Sequence, residues 1–285
     1  MKNAFRLCRK GLTKARLHNA SWKPWPQPDA RLSVKLSLCN AASPFPRLEM
    51  EATPCRKRMQ GTARILFLSD LHWNSQLDEL YEILLDDINA LEADWIVFGG
   101  DLSVFMDTAG DALKWLSRLK ARRGKLSILG NRETPIFWVN RDKWRQMYAK
   151  AGFELLSNTP CDGGNLLFYG VDDWRFGEVD WSRLHDEPRP VITLSHNPDA
   201  IAEAPDDRFI GDLALCGHTH GGQLCLPFYG PLYTSSAYGR QFVHGLQQRN
   251  DGTLCITVSG VGESGFGLLR HRLCCPREYL LLTLH

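Results

Sequence analysis

Five short apolar runs in this chain end, in order, on side chains of one chemical kind. Ile65-Leu-Phe-Leu68 leads through Ser69 to Asp70-Leu71-His72, and Trp95-Ile-Val-Phe98 leads through two glycines to Asp101. Lys125-Leu-Ser-Ile-Leu129 leads to Gly130-Asn131, Val191-Ile-Thr-Leu194 to Ser195-His196, and Leu213-Ala-Leu-Cys216 to Gly217-His218-Thr219-His220. Short apolar runs bounded by turn formers read as buried strands. A strand-terminal Asp often caps a turn, and a lone His is usually a hydrogen-bonded surface residue. Seven carboxylate, amide and imidazole groups all placed at strand ends are not explained by caps. The carboxyl edge of the strands is where open α/β sheets build sites.

Between the first runs the period changes. Ser75-x-x-Asp78 forms a capping-box pattern ahead of Leu77, Leu80, Tyr81, Leu84, Ile88 and Leu91, which repeat at helical spacing. A second helix near Ala109–Lys120 carries Leu113, Leu116 and Leu119 on one face. The second half adds strand-like runs at Leu166–Gly170, Leu254–Val258 and Tyr279–Leu284. The expected fold is a layered α/β sandwich, with two mixed central sheets flanked by helices. Nothing repeats internally. The glycines around 211–222 bracket histidines instead of opening a helix, so neither a dinucleotide fingerprint nor a P-loop is present.

Charge divides the chain. Residues 1–60 hold thirteen Lys/Arg against Asp29, Glu49 and Glu51, a net +10, whereas 61–285 hold 21 basic against 29 acidic side chains, a net −8. The expected division is therefore a basic N-terminal extension over 1–60 and a catalytic domain over 61–285. The leader suits an anionic membrane surface, where each basic group contributes about 1 kcal/mol. A loosely ordered extension without a specific role fits the same composition. Phe5, Leu7, Leu12 and Ala15 give the leader only a broken apolar period, and Trp22 and Trp25 with the prolines to Pro46 suit packing onto the body or an interface. No aromatic RNA-binding motif accompanies the charge, so nucleic acid is not expected as a partner. No run approaches the roughly 20 apolar residues of a membrane span, and the start lacks a secretory pattern. The location expected is cytoplasmic, peripheral on the inner face of the membrane. Nine cysteines, an odd number without a CxxC, form neither a disulfide framework nor a zinc knuckle. Cys216 and Cys255 lie in strand-like runs and read as buried thiols.

Carboxylate, amide oxygen and imidazole suit divalent manganese, iron or zinc. A carboxylate bridging two such ions about 3.5–4 Å apart gives a centre that activates water and neutralises charge on phosphorus oxygens. The blocks DLH, GGD, GN, SHNPD and GHTHGGQ resemble the five signature blocks of the calcineurin-like metallophosphoesterase superfamily. GVDDW at 170–174 and the tail VSGVGESGFGLLRHRLCCPRE at 258–278 resemble one bacterial branch, which includes hydrolases of UDP-2,3-diacylglucosamine in lipid A synthesis. The resemblance implies two divalent cations, manganese for preference. Asp70, His72 and His220 would hold the first, Asn131, His196 and His218 the second, with Asp101 shared.

One position departs from the family pattern, which usually has a histidine after Gly-Asn. Here Arg132 follows Asn131, and Glu133 follows it. Arginine stays protonated and cannot act as a general acid, but its rigid fork holds phosphate oxygens. That exchange suits a weakly basic leaving group such as a phosphate monoester, whose second pKa is about 6. Arg132 and Asp101 are thus the expected catalytic residues, for cleavage of a nucleotide-linked lipid diphosphate to UMP and diacylglucosamine 1-phosphate. The alternative at this position is an Arg132 paired with Glu133 or Asp173. Arg141, Lys143, Arg175 and Trp174 are candidate substrate contacts. Trp138, Trp144, Phe176 and Trp181 suit an acyl groove, uracil stacking or the core. Two other functions remain open on sequence: a broad phosphodiesterase or phosphatase on soluble esters, and an inactive scaffold binding protein or RNA.

Overall fold

The computed structural model describes residues 30–74, 78–134, 140–265 and 271–285. Fifteen strands among the described residues form two main sheets and one small hairpin. The first sheet contains β1 (Leu32–Cys39), β2 (Arg47–Pro54), β3 (Ala63–Leu68), β4 (Trp95–Phe98), β5 (Gly124–Ser127), β6 (Glu154–Leu155) and β15 (Tyr279–Leu284). Its order is β1-β2-β15-β3-β4-β5-β6, with β3 to β6 parallel and β15 antiparallel to β3. The second sheet contains β7 (Thr159–Asp162), β8 (Leu167–Gly170), β9 (Val191–Ser195), β10 (Leu213–Cys216), β13 (Gly245–Gln248) and β14 (Leu254–Thr257). Its order is β13-β14-β10-β9-β8-β7, with β8, β9, β10 and β14 parallel and both edges antiparallel. The small hairpin pairs β11 (Cys225–Leu226) with β12 (Gly230–Pro231).

Three apolar clusters show the layering. One, including Ile65, Phe67, Val97, Ile128, Ile192, Leu215, Ile256 and Leu282, lies between the two sheets. A second joins the outer face of the first sheet to the helices Asp78–Ala90, Ala109–Ser117 and Arg141–Lys150, through residues such as Tyr81, Leu116 and Trp144. The third covers the outer face of the second sheet with the short helix Asp199–Ala202. Central strands such as β4, β9 and β10 are buried along their whole length, which is why they read as continuous apolar runs. This is the expected layered sandwich. Ser75, Leu77 and Trp138 lie outside the described residues, while Tyr81, Leu84 and Ile88 are fully buried on the first helix.

The expected boundary at residue 60 needs correction. β1 and β2 pair along their full length, and β2 runs parallel to β15 from Arg47 to Ala52. Leu32, Leu48, Met50 and Ala52 are buried in the cluster between the sheets. Charge hid a period of two: Lys35, Glu49 and Glu51 alternate with apolar residues that face inward. Net charge therefore divided a segment that belongs to the body. The basic leader that remains, with Trp22 and Trp25, falls in 1–29, outside the described residues.

Candidate metal centre

All seven sequence-selected ligands meet at the carboxyl ends of the strands, where the edges of the two sheets adjoin. Asp70 and His72 follow β3, Asp101 follows β4 and Asn131 follows β5, all from the first sheet. His196 follows β9, and His218 and His220 follow β10, from the second. Asp70, His72, Asp101, His218 and His220 all adopt positive φ, between 41° and 71°. A non-glycine residue held there costs about 1–3 kcal/mol and persists only where its surroundings force it. The loops hydrogen-bond to one another. Asp70 N–H donates to Gly100 O at 2.9 Å, His72 N–H to Asp101 O at 3.0 Å, and Gly217 N–H to His196 O at 3.0 Å.

The side chains fall into two groups sharing Asp101. In the first, His72 Nε2 lies 3.0 Å from His220 Nε2 and 3.4 Å from Asp101 Oδ2, and His220 Nε2 lies 3.5 Å from Asp70 Oδ1. In the second, His196 Nε2 lies 3.1 Å from Asn131 Oδ1, 3.2 Å from His218 Nδ1 and 3.4 Å from Asp101 Oδ1. The outward nitrogens fix the tautomers in this second group. His196 Nδ1–H donates to Gly99 O at 2.8 Å and His218 Nε2–H to Ser235 O at 3.3 Å. The inward nitrogens then face each other, His196 Nε2 also lying beside the oxygens of Asn131 and Asp101, and both can bind a cation once His196 gives up its second proton. In the first group the fully buried Asp70 Oδ1 has no hydrogen-bond partner among the described residues. Converging lone pairs and an orphaned buried carboxylate oxygen fit divalent cations, one per group.

Electrostatics favour the same conclusion. Burial holds His72, His218 and His220 well below the usual imidazole range, so they are neutral, as ligands must be. Burial also pulls His196 down, but Asp101, Asp70 and Asp173 together outweigh it and push it up to about 9. Asp101 is pushed up, by burial first and then by the neighbouring acids Glu133 and Asp70, against the lowering pull of His196.

Two supporting acids have roles that the sequence analysis did not assign. Glu133 does not pair with Arg132; it accepts the backbone N–H groups of Gly130 at 2.8 Å, Asp101 at 3.2 Å and Leu102, bracing two ligand loops. Asp199, the acid of SHNPD, accepts Ser236 Oγ–H at 2.6 Å and Ala237 N–H at 2.7 Å, fixing the loop whose Ser235 receives His218. Gly217 allows contact with the first sheet, since a Cβ there would lie 2.1 Å from Ser69 Oγ. Both acids stood within recognisable blocks, but all their partners except Gly130 are distant in sequence.

The remaining candidates separate. Arg132 is half-buried at the site: its N–H donates to Asp101 Oδ1 at 2.8 Å and its Nη2 to Ser264 Oγ at 3.1 Å. Its charge helps depress both His72 and His218, so it acts on both groups. Arg175 is exposed over the Phe176 ring, and its charge also reaches His218. Arg141 starts the helix Arg141–Lys150 and pairs with buried Asp172 instead of pointing a free charge at the ligands. Trp174 is half-buried and donates its Nε1–H to Glu203 at 3.0 Å. Trp144 and Trp181 are core residues. Cys216 and Cys255 are buried thiols, as expected, with sulfurs 3.7 Å apart.

Known proteins share this arrangement of blocks. The family model for calcineurin-like phosphoesterases matches residues 63–222. The uncharacterised metallophosphoesterase YkuE of Bacillus subtilis (strain 168) is 33% identical over 199 residues, covering 65% of this chain and 67% of that protein. The phosphodiesterase YaeI of Escherichia coli (strain K12) is 28% identical, covering 78% of this chain and 82% of YaeI. The UDP-2,3-diacylglucosamine pyrophosphatase LpxG of Chlamydia trachomatis is 25% identical, covering 77% of this chain and 82% of LpxG. The chain spans 61% of the length of two further relatives.

Proposed function

The chain belongs to the calcineurin-like phosphoesterase family, and from that membership we propose that it is a two-metal phosphohydrolase cleaving a nucleotide-linked lipid diphosphate, UDP-2,3-diacylglucosamine. The observation that carries the diphosphate assignment is Arg132, a permanent cation beside both ligand groups. Asp70, His72 and His220 would hold one divalent cation and Asn131, His196 and His218 a second, with Asp101 serving both groups; the cations, manganese for preference, would supply charge neutralisation and a nucleophilic water. Arg132 holds phosphate oxygens and steadies negative charge as the phosphorus is attacked. It is itself oriented by Ser264, whose N–H donates to Gln223 Oε1 at 2.8 Å. A departing phosphate monoester needs no proton at neutral pH, so the fixed charge of Arg132 suffices.

Two further observations support a lipid substrate. The β11–β12 hairpin packs on the metal loop, where a Cβ at Gly222 would lie 2.3 Å from Pro231 Cβ. It carries exposed Leu226, Phe228, Tyr229, Leu232 and Tyr233, an apolar rim suited to acyl chains. LpxG, at 25% identity, is a pyrophosphatase for this compound. No helix among the described residues is long and apolar enough to cross a membrane. We place the enzyme peripherally on the inner face of the cytoplasmic membrane, with the basic leader meeting anionic lipid. The second reading, a broad phosphodiesterase on soluble esters, has its support in YaeI. Convergence of all seven ligands argues against an inactive scaffold.

The test is hydrolysis by the purified chain, with Mn2+, of UDP-2,3-diacylglucosamine, bis-p-nitrophenyl phosphate and cyclic nucleotides. Release of UMP from the lipid is expected; cleavage of the model diester alone would leave a phosphoesterase and remove the lipid assignment. Arg132→His should lower diphosphate cleavage about 100-fold, and undiminished activity would remove the role given to Arg132.

A further inference from the structure

Arg272 lies next to His220 and has no carboxylate partner among the described residues. Its guanidinium donates instead to five backbone carbonyls. Nε and Nη2 reach Gly262 O at 3.0 and 2.7 Å, and Nη2 also reaches Ser259 O at 2.7 Å and Gly260 O at 3.1 Å. Nη1 reaches His220 O and Pro276 O, both at 3.2 Å. Three segments are joined: the metal loop after β10, the strap 259–262 after β14, and the C-terminal approach to β15.

The strap is bound to the opposite sheet. Val261 N–H donates to Ser69 O at 3.0 Å and Gly262 N–H to Asp70 O at 2.7 Å. A Cβ at Gly260, whose φ is +75°, would lie 2.7 Å from Asp70 Cβ. The strap therefore moves with Asp70, a ligand from the first sheet, while Arg272 ties it to His220, a ligand from the second. Those ligands belong to the same metal group. The other group has its own tie between the sheets, His196 Nδ1–H to Gly99 O at 2.8 Å.

We propose that Arg272 is a positioning residue for the first metal subsite alone, fixing His220 against Asp70 and His72 across the junction of the sheets. The proposal rests on the two-metal reading above. Only an arginine supplies five donors in a rigid fork; a lysine keeps the charge and loses the geometry. Charge and geometry act in opposite directions. The cation repels a metal at the first subsite, so deleting it would tighten binding if charge were its main effect. Deleting a clamp loosens binding.

The test uses the full chain titrated with Mn2+, followed by calorimetry and electron paramagnetic resonance. The variants are Arg272→Lys and Arg272→Met, with Arg249→Met as control. Arg249 is a buried arginine that donates to Ile201 O and Ala204 O, away from the ligands. The wild type should bind two coupled Mn2+ ions. Both Arg272 variants should keep one tight ion with an uncoupled spectrum and bind the other about 10–100-fold more weakly, the usual effect of losing an outer-sphere support. The control should melt earlier yet keep two tight ions. Should the Met variant not fold, the Lys variant carries the test. Unchanged or tighter binding of both ions, or equal weakening of both, would overturn the clamp while leaving the two-metal enzyme in place. A wild type that bound no Mn2+ would overturn both.

Discussion

A methyl group at Gly217 would sit 2.1 Å from Ser69 Oγ and 2.4 Å from Asp70 Oδ2, closer than real contacts allow. Ser69 Oγ–H donates to that same Asp70 oxygen at 2.7 Å, and His218 N–H donates to it at 2.9 Å. Gly217→Ala must therefore push the Asp70 loop away from the His218 loop. The expected cost is about 1–3 kcal/mol of stability, the usual range for forced overpacking, with weakened Mn2+ binding. Chemical denaturation and a Mn2+ titration would measure these, and an alanine variant with wild-type metal affinity would refute the contact. At this scale the ligands were legible in the sequence because their types and order are chemical. Glu133 and Asp199 were not, because all their partners except Gly130 lie 31–38 positions away.

Strands β1 and β2 show what charge can conceal in an element. A loose basic extension would tolerate any substitution at Met50. Instead Met50 is 1% exposed and lies opposite Leu282 in β15, inside the cluster between the sheets. Met50→Ala should cost about 2–5 kcal/mol, as lost apolar burial plus a cavity. Thermal or urea unfolding would show it, and a change below 0.5 kcal/mol would return β2 to the status of an appendage. The central strands were legible because burial on both faces makes them continuous apolar runs. The edge hairpin was not, because its outer face carries Lys35, Glu49 and Glu51 and its partner β15 lies at the other end of the chain.

For the whole molecule, two sheets deliver opposite halves of one candidate metal site, and folding gathers acids and imidazoles in a buried space. In the metal-free protein burial and mutual repulsion raise Asp101, and the surrounding carboxylates push His196 up to about 9. Cations displace the protons held there, so Mn2+ affinity should rise with pH through the range below 9. The gain is about tenfold per pH unit for each proton released. Calorimetry in two buffers of different ionisation enthalpy would count the protons; affinity independent of pH between 6.5 and 8.5 would contradict it. The sequence by itself determined the family, the layered fold and the seven side chains that meet at the site, because strand burial and ligand-type chemistry are properties of local composition. Only the tertiary structure decided that β1 and β2 belong to the body, which acids brace the ligand loops, and that Arg272 joins the two sheets behind His220. Those are contacts between distant segments, and no local pattern encodes the partner at the far end.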